Sequence, residues 1–167
     1  MTKTLVQRSK KAAAGILVSA LLMMGACPQQ SHAATYTADF TFTFSDSAIA
    51  VSGSTDNYEI DGTDLKITDS GTYVVTGSCS EGSVTVKKGT KDVTLVLKDL
   101  TLASSATAPV SCNKTTEVNL ILEGSNTLTD KEDPANEDSA DENVADAFEG
   151  AVVKVKSGAS LTISGDG

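Results

Sequence analysis

The sequence predicts an all-β fold, and its internal repeats indicate a parallel β-helix, a solenoid in which successive turns of the chain stack on one another. After residue 34, no segment shows helical periodicity, whereas short runs of alternating Val, Ile, Leu and Thr recur. Turns rich in Gly, Ser, Asp and Lys separate these runs, and the runs resemble one another. An antiparallel β-sandwich is the alternative, because turn signals about every 8–12 residues suit that fold too.

The repeats align one turn of the predicted solenoid with the next. SVTVKKGTKDVTLVLKDLTL matches PVSCNKTTEVNLILEGSNTL, and then VVKVKSGASLTI. Leu65, Val84, Val110 and Val153 are equivalent, with separations of 19, 26 and 43 residues. A period of about 20–26 residues with one long insertion is typical of a solenoid. The other aligned residues are Ile67, Val86, Cys112 and Val155, then Tyr73 and Val75, and finally Val93, Leu95 and Leu97 with Val118, Leu120 and Leu122.

The first 33 residues have the features of an export signal. Four cations precede an apolar stretch over residues 12–26, and Ser31 and Ala33 supply small residues for cleavage after Ala33. The competing interpretation is a lipoprotein signal that leaves the protein anchored through an acylated Cys27. Either way, we expect a secreted or cell-surface protein. The cations are Lys3, Arg8, Lys10 and Lys11.

Removal of the signal leaves residues 34–40 as a short linker and residues 41–167 as one domain. Phe40, Phe42 and Phe44 alternate and predict a strand that caps the first turn. The chain ends at a Ser-Gly-Asp-Gly turn that could lead into another strand. We therefore expect this to be the N-terminal part of a longer domain.

Composition excludes several functions. Of 13 basic and 22 acidic residues, only the four cations belong to the first 33 positions, so the 134 residues that follow carry 9 Lys and a net charge of −13. Such a chain does not neutralise nucleic-acid phosphates. No second apolar segment approaches membrane-spanning length, so we expect no membrane insertion after signal removal.

Cys79 and Cys112 remain after cleavage, and two interpretations stay open for them. An exported chain permits a disulfide. Both cysteines also lie in apolar alternation, where a buried thiol simply fills space.

Several segments of the chain resemble a family of bacterial secreted carbohydrate-binding domains. GTYVVTG and EGSNTLTD are the most distinctive, and the similarity covers residues 41–167 through FTFSDSAIAVSGS, ITDSGTYVVTGSCSEGSVTV, VTLVLKDLTLASSATAPV, EVNLILEGSNTLTD and GASLTISGDG. The resemblance implies a right-handed parallel β-helix with a pectate-lyase-like shape and bound calcium. It also implies non-catalytic affinity for cell-wall polysaccharide, either acidic sugars or cellulose. It transfers no individual ligand residue.

Calcium is the metal that the residues themselves favour. Residues 130–149 contain nine acids and one Lys, and Ca²⁺ takes about six to eight oxygen ligands, largely carboxylates and carbonyls. Asp130 and Glu149 each adjoin a predicted strand that could fix their positions. No EF-hand spacing is present, and the alternative is a loop that only solubilises the protein. The candidate ligands are Asp130, Asp133, Asp138, Asp141, Asp146 and Glu149.

Polysaccharide is the predicted partner, and the predicted mode of binding is polar. No Trp is available as a sugar platform, Tyr73 lies in a core-facing alternation, and Tyr36 and Tyr58 are expected to be exposed. Calcium would bridge an acidic sugar to this acidic protein. Candidate cations at comparable turn positions are Lys87, Lys88 and Lys156; the alternative is that they are ordinary edge-protecting lysines.

Catalysis is not expected. The mature chain has no Arg to act as the base of a lyase and no His to activate a nucleophile. A glycoside hydrolase needs two carboxylates about 5–9.5 Å apart on rigid strands, whereas the acids here concentrate in one loop. The sequence thus predicts a non-catalytic polysaccharide-binding domain. The alternatives are an adhesin-like structural solenoid and a fragment of a polysaccharide lyase-like enzyme.

Overall fold

The computed structural model describes residues 35–53, 56–132 and 150–167, which belong to one compact unit, Ser31–Gly167. These residues form twelve strands and no helix, which confirms the all-β prediction. None of them therefore belongs to a membrane-spanning helix. The predicted signal, residues 1–33, lies outside the described residues. The strands are β1 (Phe40–Phe44), β2 (Ile49–Ser52), β3 (Tyr58–Asp61), β4 (Asp64–Ile67), β5 (Gly71–Cys79), β6 (Ser83–Val86), β7 (Val93–Ser104), β8 (Val110–Cys112), β9 (Glu117–Glu123), β10 (Thr127–Asp130), β11 (Val153–Val155) and β12 (Ser160–Gly165).

The strands form two mixed sheets, and from β4 to β9 the chain alternates between them. Sheet A has the order β12-β9-β7-β5-β1-β2, with β10 also paired to β7. Sheet B has the order β11-β8-β6-β4-β3. Antiparallel pairing is confined to β1 with β2 and β3 with β4. The other eight pairs among the described strands are parallel.

The register of the parallel pairs follows the repeats in the sequence. Val84 pairs with Leu65 on one side and with Val110 on the other. The 43-residue spacing ends in the same way, because Val153 pairs with Val110. The predicted alignment is therefore confirmed as hydrogen-bonded register. In sheet A, the paired columns are Tyr73, Leu95 and Leu120, and Val75, Leu97 and Leu122.

The core lies between the sheets and is built from alternate residues of each strand. Leu95, Leu97 and Val84 are fully buried, and each buried side chain of this size contributes about 1.5–3 kcal/mol relative to exposure. The columns of inward-facing residues in the two sheets end at β11 and β12, where Val155 is 44% and Ile163 is 57% exposed. No further described strand packs on these two residues.

Aromatic side chains close the core next to β1. Phe40 stacks on Tyr73 with ring centroids 5.2 Å apart, and Tyr58 contacts Phe40 and Phe42 edge-on at 5.6 and 5.0 Å. The core position predicted for Tyr73 is confirmed, and the strand predicted from the alternating Phe residues is confirmed as β1, which pairs with β5. The exposure expected for Tyr58 is wrong, because its ring is half-buried against the two Phe rings.

The two cysteines are free thiols buried in the core. Cys79 ends β5 in sheet A, and Cys112 ends β8 in sheet B. The space-filling interpretation is confirmed, and the disulfide alternative does not hold in this structure. Burial raises the pKa of Cys112 to about 11.

A β-bulge in the pairing of β5 with β7 bends sheet A and divides its outer surface into two parts. The pairing of β5 with β7 shifts between Thr76 and Gly77, so that Gly77 pairs with Leu100 and Asp99 is left as an extra residue with a φ of 48°. Beyond this bulge, β10 pairs with the second half of β7. The first halves of β5 and β7, together with β9 and β12, form the part of sheet A on the other side of the bulge.

The turns from sheet B to sheet A repeat one geometry. The backbone N–H of Thr90 donates to the Lys87 carbonyl at 3.2 Å, and the N–H of Thr116 donates to the Asn113 carbonyl at 3.3 Å. In each turn the third residue has a positive φ, which a β-branched residue adopts only under strain. These residues are Gly89 at 84°, Thr115 at 62° and Gly158 at 74°.

We expect Thr115→Gly to stabilise the protein. Glycine removes the left-handed strain of a β-branched residue but adds entropy to the unfolded chain, so the net gain in the free energy of unfolding is about 0.5–1 kcal/mol. Urea unfolding measures this gain. The matched control is Thr116→Gly, which removes a fully buried side chain whose hydroxyl donates to the Asn113 carbonyl at 2.9 Å. The control should lose about 1–3 kcal/mol, and a loss at Thr115 as well would contradict the argument.

We also expect stability to fall in alkali. Burial raises the pKa of Tyr73 to about 12. Because Tyr73 and Cys112 hold their protons more tightly in the folded state, their contribution is complete below about pH 9 and is lost as the pH rises towards about 12. Urea unfolding across this range should show the decline. Tyr73→Phe should show a shallower decline, and a profile parallel to that of the parent protein would contradict the assignment.

Candidate functional site

A ladder of polar side chains runs across the outer face of sheet A. Thr94 on β7 pairs with Thr72 on β5 and with Asn119 on β9, and Asn119 pairs with Thr162 on β12. Each of these residues directly precedes an inward-facing residue, such as Leu95 after Thr94, and therefore points outward. Since neighbouring strands lie about 4.8 Å apart, the four rungs span about 14 Å along the direction of stacking.

An open groove of about 520 Å³ lies along this ladder. Beside the ladder, the groove is lined by a second column of polar side chains. This column consists of the register partners Glu117 and Ser160, with Asp92 next to them. Asp92 has a φ of 54° and lies in the connection from Val86 to Val93, which has six residues where the equivalent connection from Cys112 to Val118 has five. The residues that line the groove are Asp92, Val93, Thr94, Glu117, Val118, Asn119, Ser160 and Thr162.

Most polar groups of the groove are available to a ligand. Among the described residues, the side chains of Thr94, Asn119 and Thr162 make no hydrogen bond within the protein. Glu117 differs, because one of its carboxylate oxygens lies 2.6 Å from Lys91 Nζ at the groove edge. This contact raises the pKa of Lys91. The groove therefore presents hydroxyl and amide groups beside one paired and one further carboxylate.

An apolar row lies next to the ladder, two residues further along each strand. Val74, Val96 and Ile121 form this row and are at most 6% exposed, and Tyr36 packs against them. The Tyr36 hydroxyl donates to Glu123 Oε2 at 3.0 Å. The exposure expected for Tyr36 is thus wrong, because its ring is half-buried as a cover for this row.

The three lysines predicted as sugar contacts lie on the turns after β6 and β11. Lys87, Asn113 and Lys156 each follow the end of a strand of sheet B and lie in one column, with Asn113 between the two lysines. The backbone N–H of Asn113 donates to the Val86 carbonyl, and the backbone N–H of Lys156 donates to the Cys112 carbonyl in the same way. Lys88 belongs to the next column, beside Lys114. Lys87 and Lys88 line a second groove, of about 410 Å³, together with Asp69 and Asp92 among others.

Of the six candidate calcium ligands, the structure describes Asp130. It ends β10, is half-buried, and its Oδ1 accepts a hydrogen bond from the backbone N–H of Glu132 at 2.9 Å. Within residues 35–53, 56–132 and 150–167, no three acidic, His or Cys side chains cluster as metal ligands. The other candidates lie outside the described residues; they are Asp133, Asp138, Asp141, Asp146 and Glu149.

The carboxylates that adjoin the bend of sheet A have structural partners. Asp99 Oδ1 accepts a hydrogen bond from the Ser125 backbone N–H at 3.0 Å. Glu123 accepts the Tyr36 hydroxyl and lies 3.3 Å from Lys98 Nζ. Asp46 likewise accepts the backbone N–H of Ser80 at 2.7 Å, which lowers the pKa of Asp46. These contacts join segments that are distant in the sequence and so stabilise the fold.

The fold and this surface define an all-β protein with an exposed face of regularly spaced polar groups. A family model described as "Carbohydrate-binding domain-containing protein" matches residues 61–167, and the chain belongs to that family. The matched segment contains the whole groove. No curated protein and no solved structure matches the chain.

Sequence reasoning missed the residues of the ladder. Thr94, Asn119 and Thr162 occupy one position of the aligned repeat, immediately before Leu95, Leu120 and Ile163. The repeat that identified the core columns would therefore have identified this outward column too.

Proposed function

We propose that this protein binds cell-wall polysaccharide without chemical conversion, as a secreted or cell-surface module. The sugar is an acidic polymer such as polygalacturonate, or cellulose. The observation that carries the proposal is the family match over residues 61–167, which contain the groove with its regularly spaced polar side chains. The carboxylates at the bend of sheet A are engaged in structural contacts, which agrees with a binding role.

We further propose that the strands and their connections form a right-handed parallel β-helix. Two features support this architecture: the eight parallel pairs, and the alternation of the chain between the two sheets from β4 to β9. Parallel strands joined by a crossover within one sheet are right-handed in about 98% of cases, which favours that hand here. Such a scaffold places equivalent residues of successive turns at a constant spacing.

Calcium is the proposed aid to binding of acidic sugars. The donor chemistry of residues 130–149 suits a hard cation, since carboxylates predominate. Asp130 fits this role, because it is anchored at the end of a strand and its Oδ2 makes no hydrogen bond with the described residues. A bound cation would offset the charge repulsion between this acidic protein and sugar carboxylates, with Lys87, Lys88 and Lys156 as supporting cations.

Calcium should raise the thermal unfolding temperature of the full chain. Extracellular calcium sites have dissociation constants of about 0.1–1 mM, so about 10 mM calcium should raise the transition by about 3–8 °C relative to EDTA. Polygalacturonate should raise it further only in the presence of calcium. Asp130→Asn should reduce the calcium shift, whereas the control Asp61→Asn, an exposed residue at the end of β3, should not.

Two outcomes would contradict these proposals separately. Equal transitions in calcium and EDTA would remove calcium from the account and leave residues 130–149 as a solubilising segment. A calcium shift without any further effect of polygalacturonate or of soluble cellulose derivatives would favour a structural spacer over a polysaccharide-binding module.

A further inference from the structure

We propose that the groove on the outer face of sheet A binds a single uncharged polysaccharide chain that lies across the strands, along the direction of stacking. The inference rests on the proposed function and names the site, the orientation and the sugar class. The site consists of the ladder residues Thr94, Asn119 and Thr162 with Glu117 and Ser160 beside them.

The orientation follows from the repeat of the ladder. Equivalent polar side chains recur on β7, β9 and β12, once for each strand spacing of about 4.8 Å. A linear polysaccharide also presents equivalent hydroxyl groups at regular intervals. A chain that lies across the strands therefore meets one rung after another, whereas a chain parallel to the strands meets the ladder only once.

The chemistry of the groove matches sugar hydroxyls. Thr94 and Thr162 can donate and accept, the Asn119 amide offers two donors and one acceptor, and carboxylate oxygens accept only. Sugar hydroxyls supply both donors and acceptors to this set. Since the side chains of the three rungs have no protein partner among the described residues, they need not break an internal bond to receive the ligand.

The charge of the groove selects an uncharged chain. Asp92 and Glu117 both line it, and the nearest described cation, Lys91, is already paired with Glu117 at 2.6 Å. Repeated sugar carboxylates along the ladder would be repelled by these acids. The groove that contains Lys87 and Lys88 is less acidic, because it adds these two lysines and Asp69 to the shared residues Lys91 and Asp92 and lacks Glu117. The two grooves therefore suit different sugars.

The test is calorimetric titration of the full chain in EDTA with two probes, cellohexaose and a hexamer of galacturonic acid. We expect the parent protein to bind cellohexaose more tightly than the acidic hexamer. Asn119→Ala combined with Thr162→Val should weaken cellohexaose binding about tenfold, since two hydrogen-bonding groups are lost. The matched control is Thr85→Val, a half-buried hydroxyl on the outer face of sheet B, which should bind as the parent does.

Thermal unfolding of each variant verifies its fold, and the single change Asn119→Ser replaces the double variant if that one is unstable. Equal cellohexaose affinity of a folded ladder variant and the parent would overturn the site. Tighter binding of the acidic hexamer than of cellohexaose in EDTA would overturn the sugar class. Both results would leave polysaccharide binding itself intact, whereas a parent protein that binds neither hexamer in EDTA nor polygalacturonate in calcium would refute the proposed function as well.

Discussion

The whole structure depends on the exact register of its parallel strand pairs. Each strand places alternate residues inside and outside, so a slip of one residue would turn every buried side chain of that strand towards solvent. Leu95 lies between Tyr73 and Leu120 because the register of β5, β7 and β9 is uninterrupted on this side of the bulge. The same register aligns Thr94 with Asn119 on the opposite face. Core formation and the arrangement of the candidate site are therefore one consequence of strand pairing.

The repeats in the sequence were sufficient to predict β4 to β9, β11 and β12, the core columns of these strands and their alignment. Val84, Val110 and Val153 could be matched because the core requires an apolar residue at each of these paired positions. Features set by contacts between distant segments could not be predicted in this way. The bulge at Asp99 and the antiparallel pairs at β2 and β3 lack a repeating pattern, since each occurs where one turn meets a bend or the edge of a sheet.

Site residues were harder to predict than core residues because turns vary in length. The connection from Val86 to Val93 has six residues and that from Cys112 to Val118 has five, so apolar residues alone do not align the positions within them. Lys87 and Lys156 share a column with Asn113 between them, so these lysines do not form a continuous basic stripe. The outcome is a surface with two electrostatic regions: a lysine-containing turn surface, and a groove beside Asp92 and Glu117.

The aromatic cluster next to β1 has a practical consequence for spectroscopy. The chain has no Trp and three Tyr, of which Tyr58 and Tyr73 pack together with Phe40 and Phe42 at that end of the core. Ultraviolet signals will thus weight the first strands heavily, while loss of structure around β11 and β12 will be almost silent. Backbone probes such as far-ultraviolet dichroism or amide exchange will sample all strands. A difference between the two kinds of signal would reveal whether structure is lost first around β11 and β12.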